Sequence, residues 1–164
     1  MEREEFARRI VAMRGTLYRV CASQLASPHD REDVVQEALK KAWEHQAQLK
    51  SEEMMQTWVI RILLNECRTI QRRQKRVQPA DQLPEPGDDP LAGAAEAQAL
   101  RRALWALPEK LRTPLVLHYI EGYGVQETAH LLRLPAGTVK TRMRAGRERL
   151  RAMLEEEVFT DENE

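Results

Sequence analysis

The chain has 164 residues, with 26 Lys and Arg set against 26 Asp and Glu, so its formal net charge is zero. Charged residues are 32% and aromatics 5%, and Ala, Leu, Arg, Glu and Gln dominate, a composition of helix formers rather than of sheets. The longest apolar runs, such as Val59 to Leu64, fall far short of the roughly 20 residues of a membrane span, and the opening MEREEFARRI lacks an apolar signal core, so no membrane insertion and a cytoplasmic location are expected.

In chain order, Phe6, Ile10, Met13, Leu17, Cys21 and Leu25 step by three or four and predict one apolar stripe of a helix. Ser27 and Pro28 interrupt it, and Asp30 is placed to cap a second helix whose buried side is Val34, Val35, Ala38, Leu39, Ala42 and Trp43. A third helix is expected from about Thr57 to Lys75, with Val59, Ile62, Leu63 and Ile70 at helical spacing and Glu66 breaking the stripe. From Val77 to about Ala95, four prolines and two glycines reject helix and predict an extended, flexible linker. Beyond it, Leu100, Leu104, Leu107, Leu111, Leu115 and Tyr119 suggest two helices broken near Leu107-Pro108, and Gly122 and Gly124 bracket a turn. VQETAHLL, the connection RLPA and the helix GTVKTRMRAGRERLRAML then make a helix-turn-helix pattern. The fold class is therefore all-α: two small helical domains on a Pro-rich linker, the second with a helix-turn-helix.

Zero net charge hides segregation. Residues 61–76 carry net +5 and residues 133–151 net +6, whereas 77–99 carry net −5 and the tail from 155 to 164 net −6. Two basic blocks on separate helices are expected of a protein whose partners include a polyanion. The tail either aids solubility or shields the neighbouring basic helix. Cys21 and Cys67 lie in separate helices and read as buried structural thiols; neither they nor the four histidines have ligand-like spacing, and no metal or cofactor is expected. No phosphate-cradling glycine loop or nucleophile motif occurs, so catalysis by this chain alone has no support.

At ~100° per residue, Met143, Gly146 and Leu150 lie within about 40° of Val139 and form the core-facing stripe of the last helix. Lys140, Arg147 and Arg151 fall on one flank, Arg142 and Arg149 on the other, and Gly137, Thr141, Arg144, Ala145 and Glu148 point outward. Two cationic flanks around a mixed strip suit a helix lying in a major groove, with phosphates reached from the flanks and base edges from the middle.

LPAGTVKTRMRAGRERLR resembles the recognition helix of region four in bacterial RNA polymerase sigma factors of the extracytoplasmic-function (ECF) group, within the sigma-70 family. LPEKLRTPLVLHYIEGYGVQETAHLL resembles the part of region four before it. DREDVVQEALKKAW looks like the polymerase-binding helix of region two, and TWVIRILLNECRTIQRRQKR like its promoter-melting helix. The resemblance implies region two over residues 1–76, an acidic linker over 77–95, region four over 96–154 and an acidic tail over 155–164. It implies partners: the clamp helices of the polymerase largest subunit and the flap of the second-largest, promoter DNA, and an anti-sigma factor that could hold the chain at the inner membrane face.

By the same resemblance, Gly137, Thr138, Lys140, Thr141, Arg142, Arg144, Arg147 and Arg149 would grip the minus-35 element as duplex. Trp58, Arg61, Asn65, Arg68, Arg72 and Arg73 would meet the minus-10 element as a separated strand, for which cations and stacking faces are suited; Trp58 fits a core position equally. Asp33, Gln36, Glu37 and Lys40 would face the polymerase clamp. The pattern departs at Ala145, where Arg is usual, at Thr128 for an aliphatic, at Gly124 for a capping Ser, and at Met54 and Met55 for aromatics. Arg133 stands where glycine usually closes the turn, and since a left-handed non-glycine costs roughly 1 kcal/mol, a differently arranged turn is expected there. The rival reading is a stand-alone helix-turn-helix regulator that binds an operator without polymerase.

Overall fold

The computed structural model describes residues 1–77 and 95–161, and among these every regular element is helical. The chain divides into two units, Met1–Glu85 and Pro86–Glu164. Residues 78–94, most of the expected linker, lie outside the described residues.

In the first unit, α1 (Arg3–Ala12) and α2 (Arg14–Ala22) split the single expected helix at Met13. The stripe survives the break, and Phe6, Ile10, Met13, Leu17, Cys21 and Leu25 are all buried. α3 (Pro28–Glu44) is capped by Ser27 rather than by Asp30: the Ser27 hydroxyl accepts from the Asp30 N–H at 3.4 Å, and Pro28 takes the first helical position, where its missing N–H costs nothing. α4 (Met55–Val77) begins two residues before the expected start. It buries Met55, Val59, Ile60, Leu63, Leu64 and Cys67 against α2 and α3, whereas Leu39 and Trp43, expected in the core, are half-buried.

Lys41 and Arg31 are among the residues whose polar contacts fasten this unit. The Lys41 ammonium donates to the Glu66 carboxylate, which explains why an acid interrupts the apolar face of α4. That hydrogen bond, opposed by desolvation and assisted by Glu66, Glu37 and Glu44, raises the Lys41 pKa. Arg31, 3% exposed, donates from Nε to the Leu25 carbonyl at 2.7 Å and ties α3 to the end of the preceding segment. Cys21 and Cys67 are both buried, with their sulfurs 3.8 Å apart.

In the second unit, α5 (Ala95–Ala106) ends before Leu107-Pro108, and α6 (Glu109–Leu115) passes into a π-helical turn over Val116–Ile120. Arg112 on α6 is buried; its guanidinium stacks 3.8 Å over the Trp105 ring and donates to the Trp105 and Leu107 carbonyls, satisfying the open end of α5. Burial holds the Arg112 pKa down to about 10, so the side chain stays charged at neutral pH. α7 (Val125–Leu132), a turn at Arg133, Leu134 and Pro135, and α8 (Ala136–Asp161) complete the unit. Leu107, Leu111, Leu115, Ala129, Val139 and Met143 form its core. Leu100 and Tyr119 leave that core, being 40% and 57% exposed. Tyr119 lies within the π-helical turn, where regular i+4 spacing no longer holds.

Candidate nucleic-acid interface

α8 bears out the core stripe, with Val139, Met143 and Gly146 buried and Leu150 half-buried. Gly146 is required by close approach: an added Cβ would sit 2.8 Å from Leu115 Cδ1 and 3.4 Å from the Leu111 carbonyl oxygen. α6 and α8 therefore pack backbone-close, which fixes the depth at which α8 is presented.

The remaining faces of α8 are open. Lys140, Thr141, Arg144, Arg147, Glu148, Arg149 and Arg151 are exposed, Gly137 is exposed with clear space around it, and Thr138 and Arg142 are half-buried. The Thr141 hydroxyl turns back to the Gly137 carbonyl at 2.9 Å. Arg144 meets Glu148 only loosely, at 4.0 Å, and both are largely solvated. Ala145 does not point outward as expected; it packs against the core beside Arg149, since its small side chain can tuck under the flank. Residues 155–161 continue α8 as helix.

The turn before α8 is built by two devices. Arg133 adopts φ 57° and ψ 43°, so the left-handed conformation usual for glycine is kept and borne by an arginine, contrary to the expected rearrangement. Its cost is offset by hydrogen bonds from the Arg133 and Leu134 N–H groups to the His130 and Ala129 carbonyls at 3.3 and 3.0 Å. At the other end of α7, Gly124 leaves the cap with one side-chain bond, the Gly124 N–H donating to Glu127 Oε1 at 3.5 Å. Gly122, at φ 81°, makes the preceding turn.

On α4, Trp58, Arg61, Asn65, Arg68, Arg72 and Arg73 fall within an arc of about 140°, opposite Val59, Leu63 and Cys67. Asn65, Arg72 and Arg73 are exposed, while Trp58, Arg61 and Arg68 are half-buried. Trp58 is half-buried and in edge contact with buried Phe6, ring centroids 6.4 Å apart. Arg68 donates to Asn65 Oδ1 at 3.5 Å along the stripe. At the start of α4, Met54 is exposed and Met55 buried, so of these two methionines Met54 is the one at the surface.

On α3, Asp33, Gln36 and Lys40 are exposed and Glu37 half-buried, on the side away from Val35, Ala38 and Ala42. Asp33 lies 3.4 Å from His29, and Gln36 donates to Glu32 at 3.1 Å, contacts within one helix that leave this face unpacked. Periodicity overlooked Tyr119, whose hydroxyl accepts from Arg147 Nη1 at 2.7 Å.

A helix-turn-helix with an open basic second helix, in one chain with a separate helical unit whose long helix carries an outward Trp/Arg/Asn stripe, defines an α-helical DNA-binding protein of two regions. In comparison with known families, residues 10–77 match Sigma-70 region 2, and residues 97–150 match Sigma-70, region 4. The chain belongs to the ECF group of RNA polymerase sigma factors. It is 28% identical to the ECF sigma factor SigW of Bacillus subtilis over 93% of this chain and 90% of that one. Against the ECF sigma factor SigM of Mycobacterium tuberculosis it is 31% identical, over 84% and 71% of the two chains. Its fold is shared by the sigma factor RpoE of Bartonella quintana, solved in complex with the anti-sigma factor NepR, with TM-score 0.78 and 24% identity over 93% of this chain and 98% of that one. Membership places the chain among the factors that bind RNA polymerase and direct promoter-specific initiation.

Proposed function

We propose that the two units divide promoter recognition between them. Region two, residues 1–76, binds the clamp helices of the polymerase largest subunit through Asp33, Gln36, Glu37 and Lys40, and holds the melted minus-10 strand on Trp58, Arg61, Asn65, Arg68, Arg72 and Arg73. Region four, residues 96–154, lies on the flap of the second-largest subunit and grips the minus-35 duplex with Gly137, Thr138, Lys140, Thr141, Arg142, Arg144, Arg147 and Arg149. Residues 77–95 link the two. Polymerisation chemistry belongs to the polymerase, and an anti-sigma factor is the expected negative regulator, as in the solved relative.

The reading is carried by one observation: each matched region turns a cationic helix face to solvent, with its apolar face spent on its own core. A single-stranded path needs cations interleaved with a stacking ring, which α4 offers, and a duplex needs phosphate-reaching flanks around a base-facing strip, which α8 offers.

The test is initiation on a genomic fragment library, with the full chain and core polymerase supplied separately and together. Specific transcripts with both components support the proposal; sequence-specific operator binding by the chain alone, with no transcripts, supports the stand-alone regulator instead. Within region four, Arg144→Ala alters preference among minus-35 sequences, whereas Arg149→Ala weakens all promoters alike and lowers the salt slope of binding by about 1. Equal effects of both changes on every promoter would refute the division of α8 into base-facing and phosphate-facing positions.

A further inference from the structure

Tyr119 is a large side chain, 57% exposed, on the segment that packs against the recognition helix. Its placement is built. Pro114 sits inside α6 and brings no backbone donor, and the chain then widens into the π-helical turn, closed by the Glu121 N–H donating to the Val116 carbonyl at 3.0 Å. That turn brings Tyr119 beside Arg147, 28 positions later in the chain. The guanidinium donates to the Tyr119 hydroxyl at 2.7 Å and stands 5.9 Å from the ring centroid. The ring also meets His118 edge-on, with centroids 4.8 Å apart and planes at 80°. His118 is itself held by a 2.7 Å hydrogen bond between Nδ1 and the Tyr123 carbonyl. A backbone turn, an imidazole, a phenol and an arginine are thus joined by successive contacts at the edge of the basic flank.

We propose that Tyr119 and Arg147 form a composite phosphate-binding site for the DNA backbone, a deepening that rests on the duplex-gripping role given to α8. The phenol oxygen accepts one N–H of Arg147 and keeps its own O–H to donate, while the guanidinium retains its other N–H groups. A phosphodiester oxygen at the rim of the pair can therefore accept from both at once. Holding the arginine in advance also lowers the ordering cost of the contact, which a freely rotating flank arginine bears in full. The site carries no base information; it sets the register of α8 on the duplex.

The test uses the full chain and an end-labelled duplex of mixed sequence, because phosphate contacts are independent of sequence and measurable by anisotropy at about 50 mM salt. Tyr119→Phe keeps the ring against His118 and removes only the hydroxyl; an unchanged urea midpoint, read from Trp105 with Trp43 and Trp58 replaced by Phe, establishes that the fold is retained. The expected result is roughly three- to tenfold weaker binding, the scale of one hydrogen bond to a charged group. The salt slope also falls by up to about 0.9, which a neutral-for-neutral change produces only by displacing Arg147. In an Arg147→Ala background the same Tyr119→Phe change alters binding less than about twofold. A silent Tyr119→Phe, or one with equal effects in both backgrounds, while Arg147→Ala weakens binding, overturns the composite site and leaves the role of α8 standing. If Arg147→Ala and Arg144→Ala are both silent, the duplex-gripping role falls, and the site with it.

Discussion

Gly146→Ala is expected to destabilise the second unit, although glycine is normally the worst non-proline residue inside a helix. On an open helix surface this change stabilises by about 1 kcal/mol. Here the new Cβ would lie 2.8 Å from Leu115 Cδ1, short of the ~3.5 Å contact minimum by about 0.7 Å. Leu115 cannot swing clear, because it is 3% exposed and packed among Leu107, Leu111 and Met143. Moving α8 instead would drive the Cβ relief against the Leu111 carbonyl, already 3.4 Å from it. Overpacking of this kind costs roughly 1–3 kcal/mol, so after the propensity gain a net loss of about 1 kcal/mol remains. Gly137→Ala is the control on the same helix: nothing lies within 4 Å of its added Cβ, and a gain of about 0.5 kcal/mol is expected. Urea unfolding followed through Trp105, with Trp43 and Trp58 replaced by Phe, reads the second unit alone. At a slope of ~1 kcal/mol per molar urea, the two midpoints move apart by about 1.5 M, with the parent protein between them. A Gly146→Ala midpoint at or above the parent value would refute close approach as the reason for glycine.

The same assay checks two further residues, and a titration checks a third. Thr128 is fully buried and its hydroxyl has no hydrogen-bond partner, so Thr128→Val should raise stability by about 1 kcal/mol; a lowered midpoint would mean that the hydroxyl is bonded in solution. Arg133 holds φ 57°, and Arg133→Gly should gain roughly 0.5 kcal/mol, the relief of left-handed strain less the added freedom of the unfolded chain; a loss would show that the arginine stem contributes more than the strain costs. Tyr123 is pushed up to about 12 by burial, then by Glu121 and Glu127. Because the folded value exceeds the unfolded value of ~10, the associated stability is complete below pH 10 and is lost as pH rises toward 12. Phenolate absorbance should therefore show a late-titrating tyrosine that Tyr123→Phe removes, and three tyrosines titrating together would contradict its burial.

What could be read in the residues, and what could not, follows from the range over which each signal acts. Stripes such as Val139, Met143 and Gly146 depend on helix geometry alone, so their burial was legible without coordinates. The open basic faces were legible for the same reason, since a charged side chain opposite an apolar stripe has nowhere to go but solvent. Ser27 and Asp30 are both good caps, and choosing between them needed the backbone at Pro28. Glu66 looked like a defect in its stripe until Lys41, 25 positions away on α3, was brought against it. Ala145 was misplaced because a wheel assigns every residue an equal radius, whereas a methyl group beside Arg149 tucks toward the core.

Tyr119 marks the limit of periodic reading most clearly. It continues the Leu100 to Leu115 spacing that predicts helix, but it falls in a π-helical turn and is exposed to solvent. Nothing in VLHYI announces such a turn; Pro114 two residues earlier is the nearest signal, and proline is compatible with several local outcomes. The hydrogen-bond register of one turn thus bears on whether an aromatic joins the core or bonds, as Tyr119 does, to an exposed arginine of the basic helix. Exposed aromatics near a basic helix are consequently better judged from the hydrogen-bond register before them than from their spacing, because widening a helix by one residue moves a whole face while leaving the apolar pattern intact.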